Sequence, residues 1–159
     1  MRLTLKTMTV LLLATIVASA QSKQKKTVCQ LVSPEEIASL AHSGPVEVDA
    51  DASGPIDDSS NAEACSWKPK GGRGTIIEMG VQEAENPVAA FAAHKAEAYG
   101  ASPQPSPVQG LGDEALYRDF EHARGGALLL RSGKRIFWCS GGAPKDSYIA
   151  LAKLILKRW

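Results

Sequence analysis

Hydrophobic residues recur at helical spacing in some segments and alternate as in a strand in others. Together these patterns predict three helices and six strands. Apolar residues at helical spacing predict helices that begin at Pro34, at Pro87 and near Lys145. Alternating or continuous apolar runs bounded by glycine and proline predict the strands, over 46–48, 62–68, 75–82, 115–120, 127–131 and 135–139. We therefore expect an α+β fold in which antiparallel meanders form a sheet and the helices pack on it.

Local signals fix the ends of these elements. Ser33 stands at the N-cap of the first helix, Pro34 follows at the first helical position, and Glu36 completes a capping box. Gly44 ends this helix, since glycine readily takes the left-handed conformation after a last turn. Three prolines between 101 and 107 exclude a helix or a central strand there. The chain thus divides into two helix-plus-three-strand units and a C-terminal helix, an order that suggests a topological duplication.

The first twenty residues differ from the rest in composition. They carry Arg2 and Lys6 but no acidic residue, then an apolar run, and then Ala18-Ser19-Ala20. This order is typical of a secretory signal peptide, and the apolar run is shorter than the roughly 20 residues that a membrane-spanning helix needs. We predict a signal peptide over 1–20, a flexible basic leader over 21–28 and a single α+β domain over 29–159, with no integral membrane segment after cleavage.

Charge narrows the classes of partner. Cleavage would remove Arg2 and Lys6 and leave 16 basic against 17 acidic residues, a net charge of −1. A chain so balanced has no electrostatic reason to bind nucleic acid or an anionic membrane. We expect a secreted or periplasmic domain whose partner is a protein or a small-molecule ligand of the envelope, and we expect no cofactor.

Three cysteines follow the predicted signal peptide: Cys29, Cys65 and Cys139. In an oxidising compartment two of them are expected to pair, and three pairings are open. We favour Cys29–Cys65, because a bond between the start of the first helix and a strand would tie down an otherwise loose N-terminal segment. Cys139 lies in the apolar strand IFWC, which predicts a buried thiol without a catalytic role.

An acidic stretch over 48–61 begins like a calcium-binding loop. Its oxygen donors at alternating positions are Asp49, Asp51, Ser53 and Asp57, with glycine at the sixth place. The twelfth place, which holds a bidentate glutamate in an EF-hand, is Ser60, and strand-like segments flank the stretch where an EF-hand has helices. We interpret it as a solvent-facing loop and keep those four residues as a weak calcium candidate.

Trp138 is the aromatic residue that suggests a binding surface. If Phe137 faces the core, strand alternation turns Trp138 to the opposite face, where an exposed indole would mark a contact site. The competing interpretation is that Trp138 lies in the core or beneath a helix.

Two glycines flank Leu111 before a later strand. Gly110 and Gly112 allow positive φ on either side of Leu111, so we expect the leucine to drop into the core and Asp113 to accept hydrogen bonds from nearby backbone amides.

Three short motifs carry a resemblance. They are Cys29-x-Leu31-Val32-Ser33-x-Glu35-Glu36-Ile37, Cys65-x-Trp67 and Gly110-Leu111-Gly112-Asp113-Glu114-Ala115. The chain resembles small secreted or lipoprotein-type bacterial domains of unknown function, which show a Cys-x-Leu-Leu-Thr/Ser-x-Glu-Glu-Val opening, a Cys-x-Trp/Tyr strand and a Gly-Leu-Gly-Asp-x-Ala turn. The resemblance implies an α+β domain with a disulfide between the first two cysteines, and it implies no catalytic residues. The chain lacks the lipidation cysteine of the lipoprotein members.

The leading hypothesis is an exported, non-enzymatic binding module. Its contact surface would lie at Trp138 or at the acidic loop with Asp57 and Asp58. The alternative is a small extracytoplasmic hydrolase or metal-dependent enzyme that uses Asp57, Asp58 or His122 for acid–base chemistry.

Overall fold

A computed structural model of the chain describes residues 26–56, 61–100, 104–121 and 123–159. The predicted signal peptide and residues 21–25 of the predicted leader lie outside these ranges. Val28, which the sequence placed at the end of the leader, is 2% exposed and begins a short 3-10 helix, Val28–Gln30. The packed domain therefore includes Val28. Within the described ranges, none of the helices is both long and apolar enough to cross a membrane.

The described residues form three α-helices and eight strands. The helices are α1 (Pro34–Leu40), α2 (Pro87–Tyr99) and α3 (Lys145–Arg158). The strands are β1 (Val46–Val48), β2 (Gly54–Pro55), β3 (Ala62–Pro69), β4 (Ile77–Glu83), β5 (Ser106–Pro107), β6 (Glu114–Asp119), β7 (Gly126–Ser132) and β8 (Arg135–Gly141). The α+β class is confirmed. The structure contains the six predicted strands and two further strands of two residues each, β2 and β5.

These strands make one antiparallel sheet in the order β1-β3-β4-β8-β7-β6-β5, with β2 also pairing to β3. The two predicted meanders meet at its centre, where β4 pairs with β8 along seven residues of each strand. The two groups of three strands thus lie symmetrically on either side of the β4–β8 pair, as the suggested duplication implies. The helices do not share this symmetry, because α1 and α2 pack on opposite faces of the sheet.

The larger core lies between one sheet face and the helices α1 and α3. Its most deeply buried side chains include Trp67, Ile77, Met79, Phe137 and Cys139 from the sheet and Ile37, Tyr148, Leu151 and Ile155 from the helices, each no more than 1% exposed. Burial of such side chains is the main favourable contribution to folding. This face therefore holds most of the stability of the domain.

The opposite face is covered by α2 alone. Phe91 and Tyr99 from α2 pack there on Leu116, Leu129 and Ile136, and Trp138 lies partly buried at the edge of this smaller cluster. Strand alternation thus sends Phe137 and Trp138 to opposite faces, as predicted. Because α2 packs mainly on β7 and β8, the same face of β3 and β4 extends beyond the helix.

The N-terminal segment is held to the sheet by a covalent bond. Cys29 and Cys65 form the predicted disulfide, with 5.2 Å between their Cα atoms. Beside it, the Val28 amide donates a 3.0 Å hydrogen bond to the Glu63 carboxylate in β3. Cys139 is a free thiol that is fully buried, and this burial raises its pKa well above the ordinary value. The predicted pairing of Cys29 with Cys65 and the predicted burial of Cys139 are confirmed.

The turn before β6 takes the predicted conformation. Gly110 and Gly112 have φ of 71° and 62°, and Leu111 between them is 3% exposed. The Gly133 amide donates a 2.7 Å hydrogen bond to the Asp113 carboxylate. This hydrogen bond links the turn before β6 to the turn between β7 and β8.

An ion pair joins the first helix to the last. The capping box at the start of α1 is present, with Ser33 and Glu36 each accepting from the other's backbone amide. The Arg158 guanidinium donates to both oxygens of Glu36 at 2.8 and 2.6 Å. These hydrogen bonds from Arg158 lower the pKa of Glu36 to about 2.

Replacing Glu36 with Gln is expected to lower the free energy of unfolding at neutral pH by about 0.5–1 kcal/mol, because both side chains are more than one third exposed and solvent screens the pair. Glutamine can keep the capping box. The folded-state pKa lies below the ordinary value of 4.5, so the contribution is present above that pH and is lost as the pH falls towards the folded-state pKa. Urea unfolding at neutral and acidic pH measures this, with Arg158→Gln as the partner variant. A deficit of equal size in acid would contradict the prediction.

Candidate functional site

Three of the four residues of the calcium candidate, Asp49, Asp51 and Ser53, lie in the connection between β1 and β2. The Asp49 carboxylate is 3.3 Å from the Lys68 ammonium in β3. The Ser53 hydroxyl donates to the Asp49 carbonyl at 2.7 Å and accepts from the Ser66 amide at 3.0 Å. Asp51 is exposed in a short 3-10 helix, Ala50–Ala52. Asp49 and Ser53 thus have partners that anchor this connection to the sheet.

Three further residues belong to the calcium hypothesis, the acidic binding-surface hypothesis or the enzyme hypothesis. Asp57, Asp58 and His122 lie outside the described residues. In the described part of the chain, histidine, cysteine, aspartate and glutamate do not form a group of three or more that is suited to a metal ion. Calcium binding at the loop and catalysis by Asp57, Asp58 or His122 stay predictions.

Trp138 lies beneath α2, as the second of the two sequence interpretations expects. It stands directly opposite Gly80 on the neighbouring strand β4. A Cβ atom at position 80 would lie 2.0 Å from Cζ2 of the indole, so the ring rests on the bare backbone of Gly80. From the helix side, His94 stacks on the same ring with centroids 4.6 Å apart and planes inclined by 29°. The indole is therefore held between the sheet and α2.

His94 is in turn fixed by the sheet. Its Nε2 lies 2.9 Å from the Gln82 side-chain oxygen, one pleat along β4 from Gly80. Burial lowers the pKa of His94, and the nearby Glu97 carboxylate acts in the opposite direction with a smaller effect. The imidazole is thus neutral at neutral pH and acts as a packing group with one polar anchor.

We expect an NMR titration of His94 to give a pKa below the ordinary value of 6.5. As pH falls below that value, the unfolded chain takes up the proton first, so the free energy of unfolding should decrease until His94 itself is protonated. Urea unfolding across this window measures the decrease, and His94→Asn should flatten the part that His94 contributes. A pKa above the ordinary value would contradict the packing described here.

Beside the Trp138–His94 stack, a cleft opens between the C-terminal half of α2 and the sheet. Its volume is about 100 Å³. It is lined by His94, Glu97, Ala98 and Tyr99 from α2 and by Ala127, Leu128, Leu129, Trp138, Cys139 and Ser140 from the sheet. Most of these residues are apolar, and the exposed Glu97 and the Ser140 hydroxyl supply polar groups at its rim. We call this site the α2 cleft.

The charges around the α2 cleft have a clear pattern. Glu97 lies in the last turn of α2, which contains no basic residue. Glu78 is exposed and stands directly opposite Ser140 on the neighbouring strand, so its side chain is on the same sheet face as the cleft. One carboxylate, Glu97, therefore lines the cleft, and a second, Glu78, lies on the same sheet face next to it.

One cation of the chain already uses this end of the helix. The Arg118 guanidinium donates to the carbonyl oxygens of Tyr99 and Ala98 at 3.0 and 2.9 Å. It also lies 5.2 Å from the centre of the Tyr99 ring. The C-terminal end of α2 thus binds a guanidinium through carbonyl oxygens and an aromatic face, as the negative end of a helix dipole favours.

A second polar cluster lies at the end of the sheet near the start of α3. The Tyr117 hydroxyl donates to the Asp119 carboxylate at 2.8 Å, and the Lys145 ammonium lies 4.9 Å from the Tyr117 ring centre. The Tyr148 hydroxyl accepts from the Ala143 amide at 3.1 Å, and burial raises the pKa of Tyr148 to about 12. These phenols therefore stay protonated and serve as hydrogen-bonding parts of the fold.

Three residues of the α2 cleft and the adjoining Trp138 contact were not identified from the sequence: His94 and Glu97 in the cleft, and Gly80 beneath the indole. The spacing of His94 three residues after Phe91 is a weak signal, since it places both on one face of the helix. Glu97 in the last turn runs against the usual preference for basic residues there. Gly80 cannot be recognised from the sequence as a contact of Trp138, because that contact depends on the pairing of β4 with β8.

A comparison with protein-family models finds no match for this chain, and a comparison with curated proteins finds none either.

Proposed function

We propose that this chain is an exported, non-enzymatic binding domain and that the α2 cleft receives a side chain of a partner protein. The observation that carries the proposal is the α2 cleft itself, an apolar recess beside the indole of Trp138 with polar groups confined to its rim. Binding sites commonly combine an apolar interior with a few placed polar groups.

The size of the cleft favours a protein partner over a free small molecule. Pockets for whole drug-sized ligands measure roughly 300–1,000 Å³, whereas the α2 cleft measures about 100 Å³. This volume suits one anchoring side chain, and buried anchors of that kind contribute most of the affinity in many protein interfaces. The exposed residues around the cleft, among them Glu97 and Glu78, would supply the surrounding contact area.

The rigidity of the site also supports a binding role. Trp138 is held between Gly80 and His94, and His94 is fixed by Gln82. A preorganised site loses little conformational entropy when a partner docks, so more of the contact energy appears as affinity.

Export rests on the signal-like segment over 1–20 and is supported by the disulfide, which is compatible with an extracytoplasmic location. Secretion of the full chain from its native host, followed by N-terminal sequencing, tests this part of the proposal. We expect the mature protein to begin at Gln21. A mature protein that retains Met1 would contradict cleavage.

Site-specific photo-crosslinking tests the α2 cleft. We would place a benzophenone amino acid at Glu97 on the rim and, as the matched control, at Val88, which is 64% exposed near the start of the same helix. In the native host, the Glu97 variant should give a discrete crosslinked species and the Val88 variant should not. Adding Ala127→Phe, which fills the cleft, should remove that species. Equal crosslinking at both positions, or none at position 97, would overturn the proposal.

A further inference from the structure

We infer that the side chain received by the α2 cleft is basic, a lysine or arginine of the partner protein. The inference rests on the proposed function and adds the chemistry of the partner. Its basis is the combination of a small apolar recess, the Glu97 carboxylate on its rim and the Glu78 carboxylate on the same sheet face.

The volume of the cleft matches the methylene chain of a lysine or arginine side chain. A water molecule occupies about 30 Å³ of liquid, so about 100 Å³ matches a stem of three or four groups of methylene size. Lysine and arginine carry three or four methylenes before the charged group. Such side chains lay the stem along apolar surface and keep the charge at the solvent boundary.

The charged head would lie where the local groups favour a cation. Glu97 is on the rim, and Glu78 stands opposite Ser140 on the same face. The carbonyl oxygens that end α2 give the helix terminus a partial negative charge. The other titratable groups of the lining are His94, whose pKa is lowered by burial, and Tyr99 and Cys139, whose pKa values are raised by burial, so all three favour their neutral forms. Arg118 has its guanidinium bound to the carbonyl oxygens of Ala98 and Tyr99.

Arg118 also shows that this chemistry works in the molecule. Its guanidinium binds helix-terminal carbonyl oxygens and lies against the face of Tyr99, which lines the cleft. A partner cation in the cleft would also lie near Tyr99, and it would have the Glu97 carboxylate on the rim as its counter-charge.

The position of Glu97 is unfavourable for the helix by itself. An acidic side chain in the last turn is repelled by the helix dipole, and the last turn of α2 holds no basic residue of its own. The Arg118 guanidinium from β6 binds the carbonyl oxygens of that turn but is not paired with Glu97 in any described contact. Residues that oppose a local preference are often kept for function. A cation bound at the mouth would turn this repulsion into attraction.

A pair of matched probes tests the inference by NMR titration of the folded protein. N-acetyl-lysine methylamide carries the ammonium, and N-acetyl-norleucine methylamide has the same four-carbon stem without it. We expect the lysine probe to bind about fivefold more tightly, the preference that one favourable exposed ion pair provides. The resonances of Ser140, Ala98 and the Trp138 indole should shift.

The charge variants make the test specific. Glu97→Gln and Glu78→Gln should each reduce the preference for the lysine probe, and Glu97→Gln should leave the melting temperature unchanged or slightly higher. The matched control is Glu85→Gln, which removes one exposed charge near the other end of α2 and should keep the preference.

Three results would overturn the inference. Equal binding of the two probes would leave the cleft as an apolar anchor site, so the proposed function would stand without a basic partner. A preference that survives both Glu97→Gln and Glu78→Gln would place the cation elsewhere. Tighter binding of cadaverine, the free diamine with a similar stem, than of the lysine probe would assign the site to a small polyamine and not to a protein side chain.

Discussion

Removing the disulfide by replacing both Cys29 and Cys65 with Ala is expected to lower the free energy of unfolding by about 4 kcal/mol. The bond joins residues 36 positions apart, and opening a loop of that length gives the unfolded chain a corresponding gain in conformational entropy. The loss should be concentrated in the N-terminal segment, whose Val28, Leu31 and Val32 are each no more than 3% exposed.

Urea unfolding under non-reducing conditions measures this loss. A reductant should weaken the native protein by a similar amount and leave the double variant unchanged. Cys139→Ala serves as the matched control, because it removes a buried thiol that forms no disulfide. A loss below about 1 kcal/mol would mean that packing of the segment, and not the covalent bond, holds it in place.

The second large effect is expected at Gly80. Changing Gly80 to Ala should lower the free energy of unfolding by about 2 kcal/mol, within the range for overpacked sites. The added Cβ would lie 2.0 Å from the Trp138 ring, and the ring cannot move away freely because His94 is stacked on it. The displaced indole should also change its fluorescence, and the lysine probe should bind less tightly.

A double-mutant cycle isolates this contact. Adding Trp138→Leu to Gly80→Ala should recover part of the loss relative to the sum of the single variants, since the clash is then removed. Gly142→Ala is the matched control, because a Cβ at that position meets no atom within 4 Å. Additive effects of Gly80→Ala and Trp138→Leu would show that the two residues do not press on each other.

Local features of the fold were predictable because each depends on neighbours in sequence. The capping box of Ser33 and Glu36 and the turn around Leu111 follow from residue types at fixed short spacings. The disulfide was predictable because three cysteines after a signal-like segment allow few pairings. Strand alternation also separated Phe137 from Trp138 correctly.

The α2 cleft was not predictable because it depends on contacts between distant segments. Gly80 and Trp138 meet only through the pairing of β4 with β8, and sequence periodicity does not choose strand partners. The composition of α2 hides its buried face, since alanine occupies both its inner and outer sides. His94 could not be assigned to the stack before the face of α2 was known.

The short strands β2 and β5 have a consequence for how copies of this chain behave when they are crowded. Each lies along the outer side of a long strand, β3 or β6, and each ends in proline, Pro55 or Pro107. Proline has no amide hydrogen to offer to an incoming chain, so neither short strand is a good template for edge-to-edge growth of the sheet. At high local concentration, these two residues therefore give the protein resistance to aggregation through its sheet edges.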